Sequence, residues 1–116
     1  MRLEDTHVAT VPGYRPDPRY EDPWFRLGFA RLVTHYWANH AFLEDGSLIR
    51  DAVRLTGIPG VMVQGALDIS GPPDIAWQLP QVWPDGELVI VGGAGHGTGS
   101  ASVVDTIVAA IDRFGQ

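Results

Sequence analysis

A chain of 116 residues that is 45% hydrophobic and 19% charged has the make-up of one globular domain, too short for two autonomous domains and too apolar for disorder throughout. Its formal net charge of −6, with arginines as the only lysine-or-arginine cations and no basic cluster among them, opposes a phosphate backbone and argues against a nucleic-acid partner. The lack of cysteine excludes disulfides, thiolate nucleophiles and cysteine-ligated zinc.

The opening residues MRLEDTHVAT lack the basic start and apolar run of a secretory signal, and no stretch approaches the ~18 apolar residues of a membrane span. The expectation is a cytoplasmic protein with no membrane partner. Residues Val11 to Pro23 hold four prolines among charged residues and read as a connecting loop. Phe25, Phe29, Leu32, Tyr36, His40 and Leu43 then recur at helical spacing, which predicts one long amphipathic helix. Glu44 to Ser47 break it, and Leu48 to Leu55 form a shorter helix ended by Gly57.

Val61-Met62-Val63 reads as a buried parallel strand that opens into a loop at Gly65 to Asp68. Pro72-Pro73-Asp74 starts a helix with a stripe at Ile75, Leu79, Val82 and Trp83, in which Pro80 predicts a kink or an early stop. A second strand, Leu88 to Val91, runs into the glycine-rich loop Gly92 to Gly97. The last helix is expected to begin near Ser102, with Asp105 as its capping-box partner and Val104, Ile107, Val108, Ile111 and Phe114 on one face. From residue 58 onward the order strand, loop, helix, strand, loop, helix is that of a parallel α/β sheet. Two such strands, buried on both faces, need further neighbours, so the chain reads as one edge of a larger sheet.

In open α/β sheets reactive groups gather at the carboxyl ends of the strands, and Asp68 and His96 follow consecutive strands. A carboxylate beside an imidazole fixes its tautomer and stabilises the imidazolium formed when it accepts a proton from a nucleophile. The plain alternatives are a turn or cap role for Asp68 and simple exposure for His96. No Gly-x-Ser-x-Gly elbow occurs, and Ser47, Ser70, Ser100 and Ser102 lack that context. His35 and His40, five apart and outside any His-Glu-x-x-His motif, read as packing or hydrogen-bonding residues, so no metal site is expected. Trp24, Trp37, Trp77 and Trp83 read as core or interface residues. The Gly92 to Gly97 loop lacks the lysine of a P-loop and the dinucleotide-binding spacing, which excludes a nucleotide site.

An ordered set of segments then resembles the proline iminopeptidase family: Phe29 to Trp37, Leu48 to Asp51, Ile58 to Asp68, Ala76 to Leu79, Trp83 to Leu88 and Gly93 to His96, collinear over nearly the whole chain. The resemblance implies an α/β fold, specifically the C-terminal portion of an α/β-hydrolase, with part of a helical cap followed by the last two parallel strands and their helices. Residues 1–55 would be the late cap and its return to the core, and 56–116 the end of the core. It further implies a serine hydrolase that releases N-terminal proline from peptides without any cofactor. Asp68 and His96 match the family's triad aspartate and histidine. Glu4 matches one of the cap carboxylates that hold the substrate's amino terminus, although Leu3 stands where the family has tryptophan. A second such carboxylate matches Val33, which bears no charge.

The resemblance places the nucleophile, the oxyanion-hole loop and most of the sheet before Met1, so the chain is expected to be a fragment, inactive by itself. Two other readings remain open: a noncatalytic truncated product or interaction module, and an α/β-hydrolase acting on another ester, epoxide or amide, which the loss of charge at Val33 favours. The oligomeric state is not legible in the sequence.

Overall fold

A computed structural model of the protein describes residue 13 and residues 15–115. The proline-rich segment ends in a 3-10 turn, Pro18–Glu21, capped by the Asp17 carboxylate, which accepts the N–H of Arg19 at 2.9 Å. Helix α1, Pro23–Ala38, starts as its sequence dictates: Asp22 accepts the N–H of Trp24 at 2.9 Å, and Pro23 fills the first turn, where no intrahelical donor is needed. Tyr20 meets Phe25 and Phe29 edge-on, with ring centroids 5.4 and 5.5 Å apart.

α1 is shorter than its periodicity predicts. Asn39 donates its side-chain N–H to the His35 carbonyl at 2.8 Å, and His40, Ala41 and Phe42 follow with φ of 50°, 54° and 58°. Left-handed backbone costs a non-glycine residue roughly 1–2 kcal/mol, so this run ends the helix decisively, and His40 and Leu43 leave the face that spacing assigned them. A second helix, α2, Ser47–Asp51, passes directly into a 3-10 turn, Ala52–Leu55.

Strands β1, Gly60–Gly65, and β2, Gly86–Val91, pair in parallel, with Gly60 opposite Gly86 and Gly65 opposite Val91. Between them the kink predicted at Pro80 is a full break, which leaves two single-turn helices, α3 (Pro73–Ala76) and α4 (Leu79–Val82). Trp83 organises the near end of the sheet. Its indole N–H donates to the Ile58 carbonyl at 2.9 Å, and its ring lies over the paired glycines, so that a Cβ on Gly60 or Gly86 would fall within 2.6 Å of ring carbons. Beside it, Asp85 accepts the N–H of Gly57 on its side chain at 2.7 Å and that of Gly60 on its backbone carbonyl at 3.1 Å.

Helix α5, Ala101–Phe114, is capped by Ser100, not by Ser102 as the sequence suggested, so Asp105 is not a capping partner. Its inner face is Val103 and Ile107, which pack on Val91, Ala94 and Val63. Arg113 ties its last turn to Glu87 of β2 at 2.9 Å. Of the expected stripe only Ile107 packs inward, beside Val103, whereas Val104, Val108, Ile111 and Phe114 are exposed. Val103, Val104, Ile107, Val108, Ile111 and Phe114 share one broad apolar face, and the two-stranded sheet covers only its Val103 and Ile107 edge.

The enclosed core is small. Among the described residues its buried apolar side chains are Ala52, Val91, Ala94 and Val103, whereas Trp24, Trp37 and Trp77 are exposed, so of the two roles expected for them, core or interface, they do not fill the core. A radius of gyration of 16.1 Å, against roughly 13 Å for a compact domain of this length, agrees with that openness. No helix among the described residues is long and apolar enough to cross a membrane. Helices with a two-stranded parallel sheet make a partial α/β arrangement, as the sequence leads one to expect.

Candidate active site

The chemistry-bearing residues lie where the two strands run out. After Gly65 the chain leaves β1 but stays tied to β2: the N–H of Ala66 donates to the Val91 carbonyl at 3.0 Å, and that of Leu67 to the Ala94 carbonyl at 2.8 Å. These bonds set the loop carrying Asp68 beside the loop carrying His96. The approach is possible because residue 65 has no side chain, since a Cβ there would lie 2.7 Å from the Ala94 carbonyl oxygen.

Asp68 closes its own loop. Its Oδ1 accepts the N–H groups of Ser70 and Gly71, each at 2.9 Å, in an Asx-type turn. Its Oδ2 lies 3.0 Å from Nδ1 of His96. The Asp68 side chain is 11% exposed and that of His96 55%, so a nearly buried carboxylate meets an imidazole open to solvent. Burial pushes the Asp68 carboxyl up, but the hydrogen bonds from Gly71, His96 and Ser70 outweigh it together and hold the group below the usual carboxylate range. An ionised carboxylate only accepts, so Nδ1 of His96 is the ring nitrogen that carries the proton in the neutral imidazole. That leaves the Nε2 lone pair free to take a proton from elsewhere.

The structure therefore brings Asp68 and His96 together, while Glu4 lies outside the described residues. Val33 is half-buried on α1. His35 packs against the rings of Tyr36 and Phe42, 5.8 and 5.3 Å away. Sequence reasoning missed Gln64, whose carboxamide reaches Gly65, Gly71 and Asp68; the available signal was a polar residue closing an otherwise apolar strand. An open groove of about 1070 Å³ runs between the His40 to Ile49 segment and Pro72 to Leu79. It shares Gln64 and Gly71 with the Asp68 loop, whereas His96 lies outside it.

No family model matches the chain. Among curated proteins it is similar to a probable proline iminopeptidase of Streptomyces coelicolor, 47% identical over 97% of this chain and 36% of the relative. It is similar also to the proline iminopeptidases of Xylella fastidiosa, 44% identical over 82% of this chain and 31% of the relative, and of Arabidopsis thaliana, 36% identical over 81% and 25%. The chain thus spans a quarter to about a third of the length of these relatives. By that similarity and by its partial α/β fold, the chain belongs with the proline iminopeptidases, as the counterpart of the C-terminal portion of their α/β-hydrolase fold.

Proposed function

We propose that this chain carries the acid–base half of a serine-type aminopeptidase that releases proline from the amino terminus of peptides. The observation that supports this most directly is the 3.0 Å approach of Asp68 Oδ2 to His96 Nδ1 at the carboxyl ends of two parallel strands. In the proposed reaction a serine Oγ attacks the carbonyl carbon of the N-terminal proline and passes its proton to His96 Nε2. The imidazolium, held by Asp68, then returns that proton to the leaving amine, and water repeats the sequence to free proline. The 116 residues hold no Gly-x-Ser-x-Gly, so the serine comes from sequence outside them, and the chain by itself releases no proline.

In the same reading residues 1–55 belong to a helical cap and its return, 56–116 to the core, and Glu4 helps to hold the substrate's charged amino group. The test is release of proline from a proline-N-terminal chromogenic amide, by this chain and by the chain joined or mixed with the remaining two thirds of a relative. Activity in the completed protein alone, abolished by His96→Ala, is the expected result. Activity in the 116 residues by themselves, or none after completion, contradicts the proposal.

A second reading, that the chain acts as a noncatalytic interaction module, draws on the exposed apolar side chains of α5 together with Trp24, Trp37 and Trp77. Binding to a partner without any gain of hydrolysis would favour it.

A further inference from the structure

We infer that Gln64 is a positioning residue for the Asp68–His96 pair, holding shut the loop that orients the Asp68 carboxylate; this rests on the reading of that pair given above. Gln64 is the only polar side chain in β1, and it stands one residue before the strand's end. Its Nε2 donates to the Gly71 carbonyl at 2.9 Å and to the Gly65 carbonyl at 3.1 Å. Both partners are pure acceptors, so the amide has one possible orientation, with nitrogen toward the loop and its two N–H bonds each matched to one carbonyl. The same nitrogen stands 3.5 Å from Asp68 Oδ2.

Gly71 is therefore gripped from both sides. Its N–H goes to Asp68 Oδ1 and its C=O to Gln64, so the segment from Gly65 to Gly71 is closed into a ring whose clasp is the Gln64 carboxamide. The consequence falls on Asp68. With Oδ1 saturated by Ser70 and Gly71, the carboxylate is fixed in rotation and Oδ2 is the oxygen turned to His96. Without the clasp the Gly71 carbonyl is released and the turn can open, and with it the rotation of the carboxylate is no longer set. Gln64 itself does not reach His96, so it acts through Asp68 alone.

The experiment is ¹⁵N nuclear magnetic resonance of the His96 ring in the full chain, at a pH above its titration, for wild type, Gln64→Met and Gln64→Glu. Met keeps the length of the side chain without the donor, and Glu replaces the donor with an acceptor facing two carbonyls and a carboxylate. Wild type should hold the Nδ1–H tautomer, and both variants should fall back by several-fold toward the free-imidazole mixture, in which Nε2–H dominates, with the far-ultraviolet dichroism unchanged. A wild-type tautomer retained in Gln64→Met overturns the role of Gln64 while leaving the pair intact. A free-imidazole mixture in wild type refutes the pair itself, and unfolding of both variants would assign Gln64 to the stability of the fold and overturn its positioning role.

Discussion

Gly65, the last residue of β1, lies against Ala94 so closely that a Cβ would sit 2.7 Å from the Ala94 carbonyl oxygen, the same oxygen that accepts the N–H of Leu67. The contact carries no chemistry, yet it sets how near the two strand-end loops come. Gly65→Ala must push the loop after β2 outward. The expected cost is about 1–3 kcal/mol in chemical denaturation, with loss of the Nδ1–H signal of His96 as the more diagnostic change. A variant that keeps that signal would show that the loops yield elsewhere.

Asp68→Asn separates charge from shape. The amide oxygen can still accept from Ser70 and Gly71, but the amide nitrogen then confronts Nδ1 of His96 as a donor and forces the opposite tautomer. In the completed enzyme kcat should fall by about four orders of magnitude, as when the aspartate of a Ser-His-Asp triad becomes asparagine. Steady-state kinetics of the completed protein checks this.

Acid should weaken the fold through the same carboxylate. The folded pKa of Asp68 is depressed, so its contribution is fully present above the ordinary carboxylate pKa and is lost as pH falls through the lower, folded value. Denaturant unfolding of wild type and Asp68→Asn should therefore differ most near neutrality and converge at pH below the usual carboxylate range. A gap independent of pH would mean that charge is not what Asp68 contributes.

Trp83 should prove the most costly tryptophan to remove. Trp83→Ala uncovers Gly60 and Gly86 and frees the Ile58 carbonyl, for an expected loss of roughly 2 kcal/mol, below the 3–5 kcal/mol of a fully buried aromatic because the residue is only partly buried. Trp24→Ala, at a side chain 81% exposed, should change stability by less than about 0.5 kcal/mol. Thermal melts of the two variants compare them directly.

The outer face of α5 should drive association. Replacing Val108 and Ile111, 49% and 61% exposed, with glutamate should lower concentration-dependent self-association in sedimentation velocity and reduce binding of a hydrophobic dye, while Val103 and Ile107 keep the helix docked. Unchanged association would place the adhesive surface elsewhere.

These contrasts show what the sequence discloses. Strand identity, the break at Pro80 and the order of Asp68 before His96 depend on local composition and chain order, and so they were legible. The end of α1 was not, because the stripe through His40 and Leu43 continues past three left-handed residues that no helical spacing reveals. The covered part of α5 was hidden for another reason: its apolar face is broader than the contact a two-stranded sheet offers, and which edge of that face is buried depends on the sheet. Gln64 escaped because its partners are backbone carbonyls, which every sequence contains.

The parallel alignment that sets Gly65 opposite Val91 also acts as a check on folding. A slip of one residue along the strand displaces Asp68 by about 3.3 Å relative to β2 and brings a residue with a side chain to the place where only glycine fits. Misaligned strands thus cannot assemble a weakened version of the Asp68–His96 pair; they assemble none. A chain that has paired wrongly lacks the pair, and the appearance of the pair certifies that the sheet has closed in its native frame.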